Sequence, residues 1–272
     1  MTDRYAVIGN PVAHSKSPLI HAAFARQTGE DIAYEALLAP LGAFAPTVLG
    51  FMAAGGRGMN VTVPFKQEAW QIADTQSASA EAAKAVNTLI VTPQGLHGEN
   101  TDGIGLVRDI TGNLGVALSG KRVLLVGAGG AARGVILPLL EEQPVSLVIA
   151  NRTAEKAHEL AEEFAPHAAL SSASFEALAG RRFDVVINAT SASLSDAAPT
   201  LPAGLYTSDA LAYDMMYGKG LTPFLHAAQA GGAMLADGLG MLVEQAAESF
   251  FLWRGVRPQT SPVLAWLRRE QA

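Results

Sequence analysis

Apolar and polar positions along this chain fall into short runs that alternate with helix-spaced segments almost from end to end. A short apolar run bounded by turn formers reads as a buried strand, and apolar residues at i, i+3, i+4 read as a helix face. Strands are predicted at Tyr5–Ile8, Tyr34–Leu38, Gly58–Val61, Thr88–Val91 and Leu96–His97, with helices over Pro18–Gln27 and Phe44–Met52. The stretch "TPQGL" (Thr92–Leu96) has the Pro and Gly of a tight turn, so the last two strands are expected to form a hairpin. A second set starts at "KRVLLVGAGG", with strands at Val123–Val126, Leu147–Ala150, Val185–Asn188 and Ala210–Tyr213. This alternation predicts an α/β fold built on parallel sheets. The glycine-rich "TGNLGVALSGK" (Thr111–Lys121) lies between the sets and is the expected boundary. Gly238–Arg254 and Pro262–Arg269 read as helices with no strand left to pair, and they are expected to fold back on the first region.

Composition narrows the function classes. The 272 residues are 49% hydrophobic and 16% charged, which suits one large globular domain or two ordinary ones. A net charge of −6 argues against nucleic acid as a partner, so any anion site must be local. With no cysteine there is no thiolate nucleophile and no zinc-thiolate site, and the six histidines form no metal-binding pattern, so no metal is expected. "MTDRYAVIG" runs directly into a strand pattern without a secretory leader, and no apolar run approaches a membrane span. The expectation is a cytoplasmic protein without a membrane partner. A homodimer is compatible with the sequence, which does not specify an oligomeric state.

One local charge pattern stands out. In "VSLVIANRTAEKA" a strand ends at Asn151, Arg152 and Thr153, and the following helix has Lys156 in its first turn, where the macrodipole disfavours cations. Just upstream, "VLLVGAGGAARGV" places Gly127, Gly129 and Ala132 in the G-x-G-x-x-G/A arrangement, directly after a strand and opening a helix. Such a loop lets a pyrophosphate approach the backbone and the free N–H groups of a helix N-terminus. An NAD site would end the next strand in Asp or Glu, to accept from the ribose 2′-hydroxyl. This strand carries no acid there. Arg152 can instead clamp a 2′-phosphate, Thr153 is expected to cap the helix, and Lys156 adds positive charge. NADP is the cofactor this pattern predicts, on a Rossmann-type unit.

The first region carries a second group of candidates. In "GNPVAHSKSPLIHAAF" Ser17 is expected as the N-cap of a helix with Pro18 at N1, so Ser15, Lys16 and Ser17 surround a helix N-terminus suited to a carboxylate. "MNVTVPFK" ends a strand near Thr62 and starts a helix near Lys66, and "AVNTL" and "GENTDGIG" put Asn87 and Asp102 at neighbouring element ends. Strand ends of an α/β sheet are where ligands bind.

Taken in order, "GNPVAHSKSP", "NVTVPFK", "AVNT", "ENTDG", "VGAGGAARG", "NRT", "NATS", "YDMMYGKGLTPFL" and "DGLGMLVEQAAESFFLWRG" resemble the shikimate dehydrogenase family over nearly the whole chain. The resemblance implies reversible, NADPH-dependent reduction of 3-dehydroshikimate to shikimate, in the pathway to chorismate and the aromatic amino acids. It implies a substrate domain of residues 1–103 completed by 238–272, and an NADP-binding domain of residues 104–237. Lys66 and Asp102 would be the catalytic pair. Ser15 and Ser17 would hold the substrate carboxylate, and Thr62, Asn87, Tyr217 and Gln245 would bind the ring hydroxyls or the carboxylate side of the substrate. Gly127, Ala128, Gly129, Gly130 and Ala131 would take the pyrophosphate, and Asn151, Arg152, Thr153 and Lys156 the adenosine phosphate. Thr190, Met215 and Gly238 would line the nicotinamide side. One departure is Ser193, in "NATSASLS", where the family often has glycine.

Other readings stay open at this level. A quinate/shikimate dehydrogenase using NAD or both cofactors is disfavoured by the NRT motif. A relative of the methylene-tetrahydrofolate dehydrogenase type would lack the SKS segment. A catalytically silent NADP-sensing regulatory protein has Lys66 and Asp102 against it.

Overall fold

Five consecutive buried residues, Tyr5 to Gly9, put the opening strand β1 (Asp3–Gly9) inside a sheet rather than at its edge. The computed structural model describes residues 2–166, 170–190 and 197–271. The chain divides into two units, Met1–Gly105 with Val243–Leu267, and Leu106–Leu242 with Arg268–Ala272. The units part inside a helix, between Gly105 and Leu106, rather than in the glycine-rich stretch 111–121.

In the first unit the elements run β1, α1 (Ser17–Thr28), β2 (Ile32–Leu38), α2 (Phe44–Ala53), β3 (Gly56–Val61), α3 (Lys66–Ile72), β4 (Thr75–Gln76), α4 (Ala78–Ala83), β5 (Thr88–Thr92), β6 (Gly95–Glu99) and α5 (Asp102–Arg108). The sheet order is β2-β1-β3-β5-β6-β4. β1 is parallel to β2 and β3, but β5 is antiparallel to both β3 and β6, so this sheet is mixed. The expected hairpin is the reason: a tight turn reverses the chain, whereas parallel neighbours need a crossover. Its register pairs Thr92 with Gly95. Strand β4 escaped the pattern reading because two residues show no alternation. The core here gathers Ile8, Phe44, Met59, Phe65, Val86 and Leu89.

The second unit continues with β7 (Arg122–Val126), α6 (Gly130–Glu141), β8 (Ser146–Ala150), α7 (Ala154–Phe164), β9 (Leu170–Ala173), β10 (Phe183–Asn188), β11 (Tyr206–Asp214), α8 (Pro223–Ala230) and β12 (Met234–Asp237). All six strands are parallel, in the order β12-β11-β10-β7-β8-β9. Read from the other edge this is the doubly wound dinucleotide-binding order. The four inner strands carry the apolar runs that the pattern predicted. β9 ("LSSA") and β12 ("MLAD") lie at the edges, where covering is incomplete and the apolar signal is weak, and both were missed.

The last helices are α9 (Leu239–Arg254) and α10 (Ser261–Gln271). Residues Val243–Leu267 belong with the first unit. There Trp253 Nε1 donates to the Leu89 carbonyl at 3.1 Å, and Arg254 pairs with Asp3 and Glu30, each at 2.5 Å. Among the described residues no helix is long and apolar enough to cross a membrane.

Candidate active site

Two helices of the first unit begin on charged residues of opposite sign. Lys66 is the first residue of α3 and Asp102 the first of α5. The buried Phe65 before Lys66 stacks on Phe44 with ring centroids 4.9 Å apart, and the Lys66 carbonyl accepts from the Val86 N–H at 2.8 Å. This fixes the corner between β3 and α3. An ammonium at the positive end of its own helix is unfavourable without a counter-charge. Asp102 supplies it: Lys66 Nζ donates to Asp102 Oδ2 at 2.5 Å. The other carboxylate oxygen accepts from Asn87 Nδ2 at 2.9 Å, and the Asp102 backbone N–H donates to Asn100 Oδ1 at 3.1 Å. The pair is thus half-buried and oriented from two sides.

Behind it lies a polar network of which the sequence reading singled out only Asn87 and Gln245. Asn87 Nδ2 also reaches Thr101 Oγ1 at 3.0 Å and Gln245 Oε1 at 3.3 Å, while Asn87 Oδ1 accepts from the Thr101 N–H at 2.8 Å. Asn60 donates to Thr88 Oγ1 at 3.1 Å and to Ser249 Oγ at 2.9 Å, and accepts from the Tyr34 hydroxyl at 2.7 Å. Asn60, Asn87, Thr88, Thr101 and Ser249 are all buried. A buried polar group without a partner is costly, so a network of this kind orients each member. The available signals were polar residues inside otherwise apolar strand runs, at Asn60 and Thr88, and Ser249 one helical turn after Gln245.

The SKS segment differs from expectation in detail. Ser17 is the first residue of α1 rather than its cap, and Lys16, in helical backbone geometry, holds the capping position without a side-chain bond. Ser15 Oγ accepts from the Ser17 N–H at 3.2 Å, a two-residue serine turn that satisfies the first N–H of the helix. Ser17 is buried and Ser15 half-buried. Thr62 follows directly after β3, and its N–H donates to the Ile8 carbonyl at 2.9 Å. Beneath this segment the fully buried His21 stacks on Tyr34, with ring centroids 4.2 Å apart and planes at 6°. Neither ring nitrogen has a hydrogen-bond partner. Burial pushes the imidazole down to a pKa of about 3, an effect that the neighbouring Asn60 opposes without meeting hydrogen-bond geometry.

In the second unit Gly127 has φ +116, and a Cβ there would come within 3.2 Å of the Ala189 carbonyl. Only glycine suits that turn. At Gly129 and Gly130 an added Cβ would meet nothing within 4 Å, and α6 opens without an acid in its first turn or a side-chain cap. This open space before unpaired helix N–H groups fits an anionic pyrophosphate. The Gly127 N–H donates to the Ala150 carbonyl at 2.7 Å, so the Asn151–Thr153 segment emerges beside the glycine loop. Arg152, Thr153 and Lys156 are exposed there. Thr153 holds the N-cap position of α7, yet its side chain makes no capping bond; the Asn151 carboxamide donates to the Thr153 carbonyl at 2.9 Å instead. Glu155 shares the first turn with Lys156 and relieves part of the dipole conflict.

Thr190 follows β10, and Met215 and Tyr217 follow β11, at the carboxyl ends of adjacent strands. Burial raises the Tyr217 phenol above its usual range, with Asp237 adding to the effect. The Gly238 N–H donates to the Met216 carbonyl at 3.0 Å, and a Cβ on Gly238 would lie 2.2 Å from the Met215 carbonyl oxygen. Ser193 lies outside the described residues. No group of three or more His, Cys, Asp or Glu side chains that could hold a metal ion is present among the described residues.

Residues 7–89 match the model of the shikimate dehydrogenase substrate binding domain, 107–195 that of shikimate / quinate 5-dehydrogenase, and 238–267 that of the shikimate 5'-dehydrogenase C-terminal domain. A shikimate dehydrogenase (NADP(+)) from Aromatoleum aromaticum is 65% identical over 272 residues, covering 98% of each chain. The chain belongs to the shikimate dehydrogenase family. Among solved structures, an Ael1 enzyme from Pseudomonas putida is 52% identical with a TM-score of 0.94, covering 98% of each chain. The shikimate 5-dehydrogenase of Thermus thermophilus, in complex with NADP(H) and shikimate, is 35% identical with a TM-score of 0.88, over 98% of this chain and 99% of that one.

Proposed function

We propose that this protein catalyses the reversible, NADP(H)-dependent interconversion of 3-dehydroshikimate and shikimate. The observation that carries the reading is the Lys66–Asp102 pair, 2.5 Å apart and oriented by Asn87, in a unit that matches the family's substrate binding domain. When bound, the nicotinamide cofactor supplies the hydride to the ring carbonyl or takes it from the alcohol. The remaining work falls to the side chains. Both Asp102 oxygens already accept hydrogen bonds, from Lys66 and Asn87, so Lys66 is the proton-bearing member of the pair. Its ammonium stabilises charge developing on the carbonyl oxygen and delivers a proton there; in the reverse direction Nζ receives the hydroxyl proton. Asp102 holds Nζ in place.

In the same reading Ser15 and Ser17 hold the substrate carboxylate, and Thr62, Asn87, Tyr217 and Gln245 read the ring substituents. A site with hydrogen-bonding walls rejects analogues that leave its polar groups unpaired. Gly127 to Ala131 receive the pyrophosphate, Asn151, Arg152, Thr153 and Lys156 the 2′-phosphate, and Thr190, Met215 and Gly238 the nicotinamide side. Support comes from the open space at Gly129 and from the absence of an acid among Asn151, Arg152 and Thr153, where β8 ends. We place the enzyme in the cytoplasm, where reduced nicotinamide cofactor is available to a biosynthetic reductase.

The test is a spectrophotometric assay crossing shikimate and quinate with NADP and NAD. Turnover should be highest with shikimate and NADP. No turnover with shikimate and either cofactor would overturn the proposal, and equal rates with NAD would remove its cofactor part.

A further inference from the structure

The carboxylate of Asp214 is fully buried at the carboxyl end of β11, opposite Asn188 in the parallel register with β10. Its Oδ1 accepts from Asn188 Nδ2 at 3.1 Å and from the Met216 N–H at 3.0 Å, and its Oδ2 accepts from the Thr222 hydroxyl at 2.5 Å. Asn188 carries the connection across to the next loop. Its Oδ1 accepts from both the backbone N–H and the hydroxyl of Thr190, at 3.1 and 2.8 Å, and its carbonyl accepts from the Met215 N–H at 3.0 Å. One carboxylate therefore ties together the two loops that bear Thr190 and Met215. Thr222 also caps α8 through the Leu225 N–H at 3.3 Å, which anchors the far side of the loop after β11.

A buried charge is expensive and is retained where its hydrogen bonds define a geometry. Here the bonds run along no strand and close no core; they fix backbone at the ends of β10 and β11, where a doubly wound sheet takes its ligand. We infer that Asp214, acting through Asn188, is a positioning residue that sets the two loops for the nicotinamide end of the cofactor. The inference rests on the reading of this unit as the NADP(H) site.

The adenosine end, at Arg152, lies on the other side of β7, next to β8, and is held by none of these bonds. Loss of the Asp214 carboxylate should therefore separate the two ends of the cofactor. In Asp214→Ala, NADPH affinity measured by fluorescence titration should fall about tenfold or more, as for hydrogen bonds to a charged group. Affinity for adenosine 2′,5′-bisphosphate, which lacks the nicotinamide, should stay within a factor of about two in the same titration. Asp214→Asn keeps an oxygen that can accept from Asn188 and Met216, and should restore most of the NADPH affinity. Where Asp214→Ala does not fold, Asn188→Ala carries the same test, because it releases Thr190 while leaving Met216 and Thr222 on the carboxylate. Unchanged NADPH affinity in a folded variant would overturn the inference, as would a parallel loss for the bisphosphate. Wild-type protein that binds the bisphosphate without gaining affinity from the nicotinamide half would also overturn it. Wild-type protein that binds neither compound would overturn the cofactor reading itself.

Discussion

Lys66 stands at the start of a helix, where a cation is electrostatically disfavoured, and its nearest charged partner is Asp102 at 2.5 Å. Replacing Lys66 by Ala should lower kcat by at least about a hundredfold, the usual worth of general acid–base catalysis, with a much smaller change in KM for shikimate. Steady-state kinetics on the folded variant decide it, and near-normal kcat would remove Lys66 from the chemistry. His21 makes a different prediction. Its imidazole is neutral when folded, with a pKa of about 3, against an ordinary value of 6.5. Below pH 6.5 the unfolded chain binds a proton that the folded chain refuses, so stability falls as the pH drops toward 3. Between pH 7 and pH 4 this single group should cost on the order of 3 kcal/mol. His21→Phe preserves a ring against Tyr34 and removes the titration. Urea unfolding at the two pH values should show a smaller acid loss in the variant; an equal loss would mean that His21 finds a partner in solution.

At the scale of elements, the β8–α7 corner is where the proposed cofactor preference is tested. It pairs an exposed Arg152 with Lys156 in the first helical turn, beside a glycine loop with room for phosphate. Arg152→Ala should weaken NADPH by about 1.5–3 kcal/mol and leave NADH nearly unchanged. The preference should then fall roughly ten- to a hundredfold. Titrations of both cofactors at two ionic strengths provide the check, since a phosphate contact at the surface is salt-sensitive. A loss shared equally by NADH would assign Arg152 to the adenine or to the fold. Local sequence could name the arginine because the fingerprint and the missing acid lie within about 25 residues of each other, a span that one βαβ unit covers. The capping bonds expected at Thr153 and Ser17 do not form: neither side chain caps its helix, and the neighbours two residues away act on the backbone instead, Asn151 donating to the Thr153 carbonyl and Ser15 accepting from the Ser17 N–H.

At the scale of the whole chain, the first unit is assembled from two distant stretches, Met1–Gly105 and Val243–Leu267. The second stretch brings Gln245 and Ser249 to the polar network, Trp253 to the Leu89 carbonyl and Arg254 to Asp3 and Glu30. A fragment of residues 1–105 should therefore lack a cooperative unfolding transition, since Asn60 loses Ser249, Asn87 loses Gln245 and the core face covered by the second stretch is exposed. Adding a peptide of residues 243–267 should restore one. Circular dichroism with and without the peptide is the measurement, and cooperative unfolding of the shorter fragment alone would show that the C-terminal helices are dispensable for this fold.

Sequence alone determined the features whose cause is local. Apolar runs specified the inner strands, Gly127 and its neighbours specified the turn before α6, and the residues after β8 specified a positive surface. The tertiary structure decided everything that depends on partners far apart along the chain. Asn87 meets Gln245 across 158 positions and Asn60 meets Ser249 across 189, and no periodicity encodes such a pairing. The edge strands β4, β9 and β12 exist because a neighbouring strand offers them hydrogen bonds, not because their own residues insist on extended backbone. Asp214 stands in sequence directly after a predicted strand, with nothing local to name its partners; only the parallel register that sets it opposite Asn188 makes it the link between two loops.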